Sequence, residues 1–373
     1  MNMSVTVKDI AEAAGVSITT VSLVLSGREC RVSLKTRDRV LKIAQELDYQ
    51  PNYLARGLVT RKSQTVGLII PDISNLFFSE LAKGVEMEAQ QYNYNIIFSN
   101  SNEDGNKDLK NLRTLLNKAV DGLIIVPSMK EREKKMITEF SRILSRHKLP
   151  MIIVDRMLPG IECDFVTLDN REGGFIATKH LLELGHRRIG CITGPQDLMS
   201  SNLRYRGYCD ALSLYGVPVD ENLIFHGDYR LHSGVEGAKA LISRNVSAIF
   251  ACNDMMACGA YRQACVMNKK IGSELSLVGF DDIPFAEMLE HPLTTIRQPI
   301  YEIGKNSCRM LMDKLNGATT EIQKIKYSPA LIVRATTAAP AAAFTKQPRS
   351  NKKWADIVFI CPQVLRSAPP ATS

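Results

Sequence analysis

Nowhere in this chain do apolar residues run on for the roughly 20 positions that a bilayer crossing needs. The opening MNMSVTVKDIAEAAG has no apolar core of the kind that directs export. A membrane or secreted protein is therefore not expected, and the reading is cytoplasmic. The nine cysteines never form a C-x-x-C pair, and Cys252, Cys258 and Cys265 lack metal-ligand spacing. Most are expected to be reduced thiols used as small buried apolar groups. GxxxxGK(S/T), HExxH, GxSxG and GxGxxG are all missing. Phosphate-loop, zincin, hydrolase and dinucleotide chemistry have no visible vehicle, so no enzyme activity, cofactor or metal is expected.

What is present points to more than one core: 373 residues exceed a typical single domain, and 45% apolar with 23% charged residues is a soluble globular balance. The positive charge sits at the two ends. Residues 1–62 hold ten Lys or Arg against six Asp or Glu, residues 338–373 hold five against one, and the 275 between carry 32 of each sign. A basic head on a neutral body suits phosphate contact at one end, although a segment of this charge is more often plain solvated surface.

Thr6 to Leu25, TVKDIAEAAGVSITTVSLVL, carries the clearest local pattern. Ile10 and Ala14 fall four apart on one helical face, and Val21, Val24 and Leu25 repeat at the same spacing. Gly15 supplies a left-handed backbone for a tight turn between the two runs, and Ser17 is placed to cap the second. Two helices over a glycine turn form a helix-turn-helix, whose second helix enters the DNA major groove; an ordinary helical hairpin in a larger core fits the same pattern. Gly27 marks a polar loop. A third helix is predicted from a Ser33 cap to about Asp48, with Val40, Ala44 and Leu47 covering the first two, and Pro51 stops it. Asn52 to Leu58, NYLARGL, reads as one or two turns too short to hold alone in water, weakened by Gly57. It is either a plain linker or a segment that folds against a second copy and a DNA groove.

From Gln64 on, apolar runs at 66–70, 95–99, 122–126, 151–155, 188–193, 223–227, 248–252 and 275–280 read as strands, with helices near 77–92 and 107–118. Continuous apolar strands between amphipathic helices are buried in parallel sheets. The rhythm runs twice, with 150–169 near the midpoint. This predicts an α/β body of two doubly wound lobes with a cleft at the carboxyl ends of the strands. Polar residues gather at those ends: Asp72, Asn75 and the pair Phe77-Phe78; Asp155-Arg156; Arg204; Asn253-Asp254; Asp281-Asp282; and Gln298. Carboxylates, amides and guanidinium groups together hold several hydroxyls, while an aromatic ring covers the apolar face of a sugar. Duller roles compete: core packing for Phe77 or Phe78, helix capping for Asp254 and Asp282, a surface ion pair for Arg204, a loop role for His186.

Six strings stand in one order: VKDIAEAAGVSITTVSLVLSG, RVSLKTRDRVLKIAQELDYQPNYLARGL, VGLIIPDISNLFFSELAKGVE, LDNREGGFIATKHLLELGHRRIGCITG, FACNDMMACGA and LVGFDDIPFAEMLEHPLTTIRQP. With them the chain resembles the LacI/GalR family of bacterial transcription regulators from about Thr6 to Thr337. The resemblance implies a small all-α helix-turn-helix head at 1–51, a hinge helix and linker at 52–63, and a periplasmic-binding-protein-like body at 64–337. Within the body it implies a first lobe of 64–163 plus 295–322 and a second of 164–294 plus 323–337.

The same resemblance places base reading on Ile18, Thr19 and Leu23, and phosphate contacts on Thr6, Ser17, Thr20, Ser22 and Asn52. Minor-groove contacts fall on Leu58, as the wedge between bases, and on Ala55. Arginine is common in the family at the position of Leu23, and leucine cannot bond guanine in bidentate fashion, so the operator is expected to depart from the usual one. The loop at Arg28–Arg31 is one residue longer than the commonest form. The likeness extends to periplasmic sugar-binding proteins of the ribose kind. Their ligand positions fall on Asn75, Phe77, Phe78, Asp155, Arg156, Arg204, Asn253, Asp281 and Gln298, which favours a monosaccharide or close derivative over a purine.

The implied protein is a repressor of carbohydrate-utilisation genes under allosteric control. Its partners would be near-palindromic double-stranded DNA, a small sugar effector and a second copy in a homodimer, with no membrane. An exported solute-binding protein would have no use for the basic head, and an enzyme of sugar metabolism is a distant third reading. Residues 338–373, rich in Pro, Ala and Ser and without leucine heptads, read as a disordered tail in which WADIVFI (354–360) could add a strand.

Overall fold

The computed structural model describes residues 5–25, 32–49, 62–130 and 132–340. Asn52, Ala55 and Leu58, the loop Arg28–Arg31 and the WADIVFI stretch lie outside the described residues.

The head opens with α1 (Val7–Ala14) and α2 (Ile18–Leu25). Thr6 closes a capping box on α1: the Asp9 N–H donates to Thr6 Oγ1 (3.4 Å) and the Thr6 N–H donates to Asp9 Oδ2 (2.7 Å). Gly15 ends α1 at φ 62°, a left-handed geometry that would cost an ordinary residue about 1–2 kcal/mol. Ser17 Oγ then accepts the Thr20 N–H (3.1 Å) at the start of α2, as its position implied. The third helix, α3 (Leu34–Glu46), is capped in the same way by Ser33, whose Oγ accepts from the Thr36 N–H (3.3 Å). Val21 and Val24 of α2 and Val40 and Ala44 of α3 close a small core with Ile10, Ala11 and Ala14. Leu47 does not join that face as expected. The helix has ended before it, Asp48 at φ 48° turns the chain away, Leu47 is left 37% exposed, and Ile43 packs against the core instead.

The body holds two six-stranded sheets. The first contains β1 (Thr65–Ile70), β2 (Asn95–Asn100), β3 (Gly122–Ile125), β4 (Met151–Val154), β5 (Asp164–Leu168) and the distant β11 (Lys324–Tyr327). All are parallel, in the order β2-β1-β3-β4-β5-β11. The second contains β6 (Ile189–Thr193), β7 (Ile224–His226), β8 (Ala248–Ala251), β9 (Ser276–Asp281), β10 (Thr294–Arg297) and β12 (Ala330–Ile332). Its order is β7-β6-β8-β9-β10-β12, and β12 alone is antiparallel, with Ile332 opposite Thr295. Each sheet reverses its winding beside its first strand, which is where open α/β sheets place ligands.

Burial on both faces explains why these strands read as unbroken apolar runs. Val66, Leu68 and Ile70 of β1 pack under α4 (Leu76–Gln91) and the late helix Ile300–Leu315, whereas Ile69 points to α5 (Gly105–Asn117) and α6 (Lys134–His147). Around the second sheet, α7 (Asn170–Glu183) packs on α8 (Met199–Leu214) and α9 (Leu231–Ile242) on α10 (Asp254–Val266).

The chain changes lobe three times: after β5, after β10 and after β11. The lobe boundaries expected from sequence therefore need correction. Residues 164–168 and 324–327, expected in the second lobe, pair in the first sheet, where Lys324 lies beside Phe165. Residues 295–297, expected in the first lobe, pair with β9 of the second. Backbone hydrogen bonding to an available sheet edge, which neighbours in sequence do not specify, decides the membership of these short strands. Where the chain enters the first lobe, the Ser63 and Gln64 N–H groups both donate to the Asp121 carboxylate, at 2.8 and 2.9 Å.

Candidate functional site

Side chains from the carboxyl ends of both sheets enclose a cavity of ≈ 20 Å³ between the lobes, about the room of one water molecule. The first lobe supplies Asn75, Phe77 and Phe78 at the start of α4, and Asp155 and Arg156 just beyond β4. The second supplies Ser200 and Arg204 from α8, Tyr229 after β7, Asn253 before α10 and Asp281 at the end of β9. Eight of the nine ligand positions that the family resemblance implies thus come together on the wall. Gln298 stands just behind it, its Nε2 donating to Asp281 Oδ1 at 2.7 Å. Asp72 does not take part: its Oδ1 accepts the Ser74 N–H (3.0 Å) and hydroxyl (2.7 Å), a local turn that outcompetes the cleft. Ser200 and Tyr229 were missed, as were Glu103 and Asn170 behind the wall. Tyr229 follows a strand end like the others, so the carboxyl-end rule could have found it.

The two guanidinium groups are buried and tied down. Arg156, 4% exposed, donates to both oxygens of Glu103 (2.7 and 3.0 Å) and to Pro127 O (3.3 Å). Burial works against its charge, but Glu103 and Asp155 outweigh that and hold it firmly protonated. Arg204 is as deeply buried, so it is no surface ion pair. Its Nε donates to Asn170 Oδ1 (2.7 Å), its Nη1 to Cys252 O (2.6 Å) and to Asp281 Oδ1 (3.5 Å), and its plane lies 3.8 Å from the Phe280 ring centroid. Burial pushes the Asp281 carboxyl up to about 7 against the pull of Arg204 and Gln298, and pushes the Tyr229 phenol up to about 12.

Backbone strain concentrates here too. Asp155 (φ 63°), Tyr229 (φ 68°), Asp281 (φ 119°) and Asp282 (φ 61°) all sit in left-handed space that non-glycine residues enter at a cost of about 1–3 kcal/mol. Asn253 holds one of these turns. Its Nδ2 donates to Tyr229 O (3.0 Å) while its Oδ1 caps α10 by accepting the Met256 N–H (2.9 Å).

Phe77 and Phe78 are both buried and meet edge to face at 5.1 Å, so the core of the first lobe and the wall of the cavity are the same rings. Asp254 and Asp282 cap nothing. Asp254 accepts the Thr295 hydroxyl (2.6 Å) and the Ile283 N–H (2.9 Å) inside the second lobe, and Asp282 pairs with Arg297 (2.6 Å) and Arg334 (2.7 Å). His186 is structural as read: buried, it reaches Ser247, Ser276 and Ala338 O at 2.9–3.0 Å. Of the seven described cysteines only Cys191, Cys252 and Cys308 are fully buried. Across the lobes, Asp197 Oδ2 of the second receives Lys130 (3.3 Å) and Arg132 (3.0 Å) of the first.

At the head, one face of α2 faces outward. Ile18 is 53% and Leu23 36% exposed, with Thr19 and Ser22 exposed beside them, while Val21 and Val24 face the core. The hydroxyls of Thr6 and Ser17 are engaged in their caps, and Thr20 Oγ1 lies 2.8 Å from Ser17 Oγ.

Residues 6–52 match the bacterial regulatory proteins of the lacI family, and residues 178–337 match a periplasmic binding protein-like domain. The HTH-type transcriptional regulator DegA of Bacillus subtilis (strain 168) is 37% identical over 336 residues, 90% of this chain and 98% of its own. The chain belongs to the lacI family.

Solved lacI-family structures share the architecture. The lac repressor dimer bound to operator and the anti-inducer ONPF superposes with a TM-score of 0.81 at 26% identity, covering 90% of this chain and all of that one. A LacI family transcriptional regulator from Enterococcus faecium with bound ribose gives 0.68 at 30% identity, covering 74% of this chain and 99% of that one. No described helix is long and apolar enough to cross a membrane.

Within this lacI-family body, Asp108 of α5 offers a pH readout. It is buried, accepts the N–H groups of Ser128 (2.6 Å) and Met129 (3.1 Å), and burial pushes its carboxyl from 3.8 up to about 7. A folded-state value above the unfolded one means that its stabilising contribution is complete below the unfolded value and is lost as pH rises through about 7. Thermal unfolding at pH 5 and pH 8 should therefore show a smaller pH 5 advantage in Asp108→Asn than in the wild type. An unchanged difference would assign the pH dependence elsewhere.

Proposed function

We propose that this lacI-family chain is a homodimeric repressor of carbohydrate-utilisation genes in the bacterial cytoplasm, whose operator affinity is set by a small sugar-like ligand held between the lobes. The observation that carries this is the convergence of Asn75, Asp155 and Arg156 of one lobe with Arg204, Asn253 and Asp281 of the other on a narrow cleft, which the lobes must open to admit a sugar, on a chain whose head turns one face of a helix-turn-helix outward. Ile18, Thr19 and Leu23 read bases. Thr6, Ser17, Thr20, Ser22 and Asn52 lie along phosphates, and Leu58 and Ala55 enter the minor groove. A two-fold dimer matches a near-palindromic operator. Ligand acts only by binding one lobe arrangement better than another, a difference of about 1–3 kcal/mol in regulators of this kind. The first lobe's hold on Ser63 and Gln64 through Asp121 is the nearest described link toward the head.

Selection of bound duplexes from a random pool, followed by titration with sugars, tests the reading directly. Leu23→Arg should move the selected consensus toward guanine at one position per half-site, with discrimination of about 1–3 kcal/mol for a bidentate pair. Thr19→Ala should relax a neighbouring position. A consensus untouched by both changes would take α2 out of the groove, and failure to select any duplex at low salt would end the proposal.

A further inference from the structure

We infer that Asp197 is a salt-sensitive latch between the lobes, setting how often they part by gripping Lys130 and Arg132 across the cleft. Asp197 Oδ2 of the second lobe receives Lys130 at 3.3 Å and Arg132 at 3.0 Å from the first. An ion pair inside one lobe adds only to that lobe's own stability. One between two bodies joined by short connecting segments acts on their spacing instead. Among the described residues a single other ion pair spans the lobes, Lys326 to Asp169 (2.6 Å). It lies where β5 and β11 lead into the second lobe, so parting the lobes moves it least.

Both jaws of the latch are braced against the cleft wall. On the first lobe, Asp108 holds the N–H groups of Ser128 (2.6 Å) and Met129 (3.1 Å), and Glu133 holds the Lys130 N–H (2.9 Å). In the same loop Pro127 O accepts from Arg156 of the wall (3.3 Å). On the second lobe, Asp197 stands in the turn before α8, the helix that carries Ser200 and Arg204 to the cavity. Asn202 of that helix fixes the turn by donating to Gln196 O (2.7 Å). Any change in the gap is thus felt by the three charges. The cavity of ≈ 20 Å³ has room for about one water, so a larger molecule passes only while the pairs are apart. The grip is also open to solvent, with the side chains of Asp197 20%, Lys130 32% and Arg132 73% exposed. Pairs of this kind are individually modest and weaken as salt shortens the range of their field, from about 10 Å at 0.1 M to about 3 Å at 1 M. That suits a contact made and broken repeatedly.

Double electron–electron resonance on the full-length protein tests this, with spin labels on non-natural residues in place of Lys134 and His232. Both are exposed, at the starts of α6 and α9, which follow the carboxyl ends of β3 and β7. Diluting labelled chain with unlabelled chain keeps the measured distance within one protomer. The wild type at about 0.05 M NaCl should show mainly the short distance, and about 1 M should raise the ratio of long to short roughly threefold or more. Asp197→Asn should show the raised ratio already at low salt and respond little to more. Asp197→Lys should open the gap further, and adding Lys130→Asp and Arg132→Asp to it should restore the short distance. Asp197→Asn is nearly isosteric, so it carries the test even if charge reversal unfolds the chain. Identical distance distributions for the wild type and Asp197→Asn at both salt levels would overturn the inference. So would a folded, charge-swapped triple variant that stays open. The measurement needs neither operator nor sugar, so its failure would leave the proposed function standing.

Discussion

Arg204→Met should leave a protein that holds operator but no longer responds to sugar, with ligand affinity down at least ~100-fold, about 2.7 kcal/mol. Methionine keeps most of the stem volume, so the loss comes from the guanidinium. That group anchors Asn170, Cys252 O and Asp281 at once and lies against Phe280, which fixes the second-lobe wall. Its removal also leaves Asp281 buried without its cation. Breaking such a pair costs about 3–5 kcal/mol of stability, softened here because Asp281 already titrates near 7 and takes up a proton easily. Calorimetry with the best neutral sugar and operator binding at 25 °C separate the two effects. Sugar affinity within tenfold of the wild type would show that the response originates outside this cavity.

A single methyl group should do comparable damage from behind the site. A Cβ on Gly174 would lie 2.1 Å from Arg204 O, and one on Gly207 would lie 2.1 Å from Arg171 O and 2.5 Å from Phe175 N. Helices α7 and α8 therefore touch backbone to backbone, and no rotamer change can relieve the clash. Gly174→Ala must push α8 outward and carry Arg204 away from Asp281. Overpacking of this kind costs about 1–3 kcal/mol or more, so a drop in Tm of roughly 5–10 °C is expected together with loss of sugar binding. Gly216→Ala is the comparison: its Cβ meets nothing within 4 Å, so only the strain of φ 64° applies, about 1 kcal/mol, and sugar binding should persist. Equal losses in the two variants would mean that the helices are not packed this closely.

The helix-turn-helix was legible because its signals are local. Gly15 and Ser17 each act within three residues, and Val21 and Val24 follow one period. The parallel strands were legible because burial on both faces leaves unbroken apolar runs. The lobe crossings were hidden, since DFVTL, TTIR and KIKY are short and partly polar and find their partners up to about 160 residues away in sequence. Leu47 and Asp72 misled for a related reason. Each fits a plausible pattern, but one residue at φ 48° and one turn hydroxyl redirect them. Tyr229 escaped notice because HGDYR reads as a polar turn after a strand of only three residues.

The triple passage between lobes also bears on how the polypeptide is made. β5 and β10, interior strands of the finished sheets, stay at an edge until the ribosome has delivered β11 (324–327) beside one and β12 (330–332) beside the other. A nascent chain of some 300 residues therefore carries two incomplete β-edges at once, the state in which strands pair with the wrong molecule. A stop codon ahead of Lys324 would make that exposure permanent in both lobes, although every residue lining the cavity had already been translated.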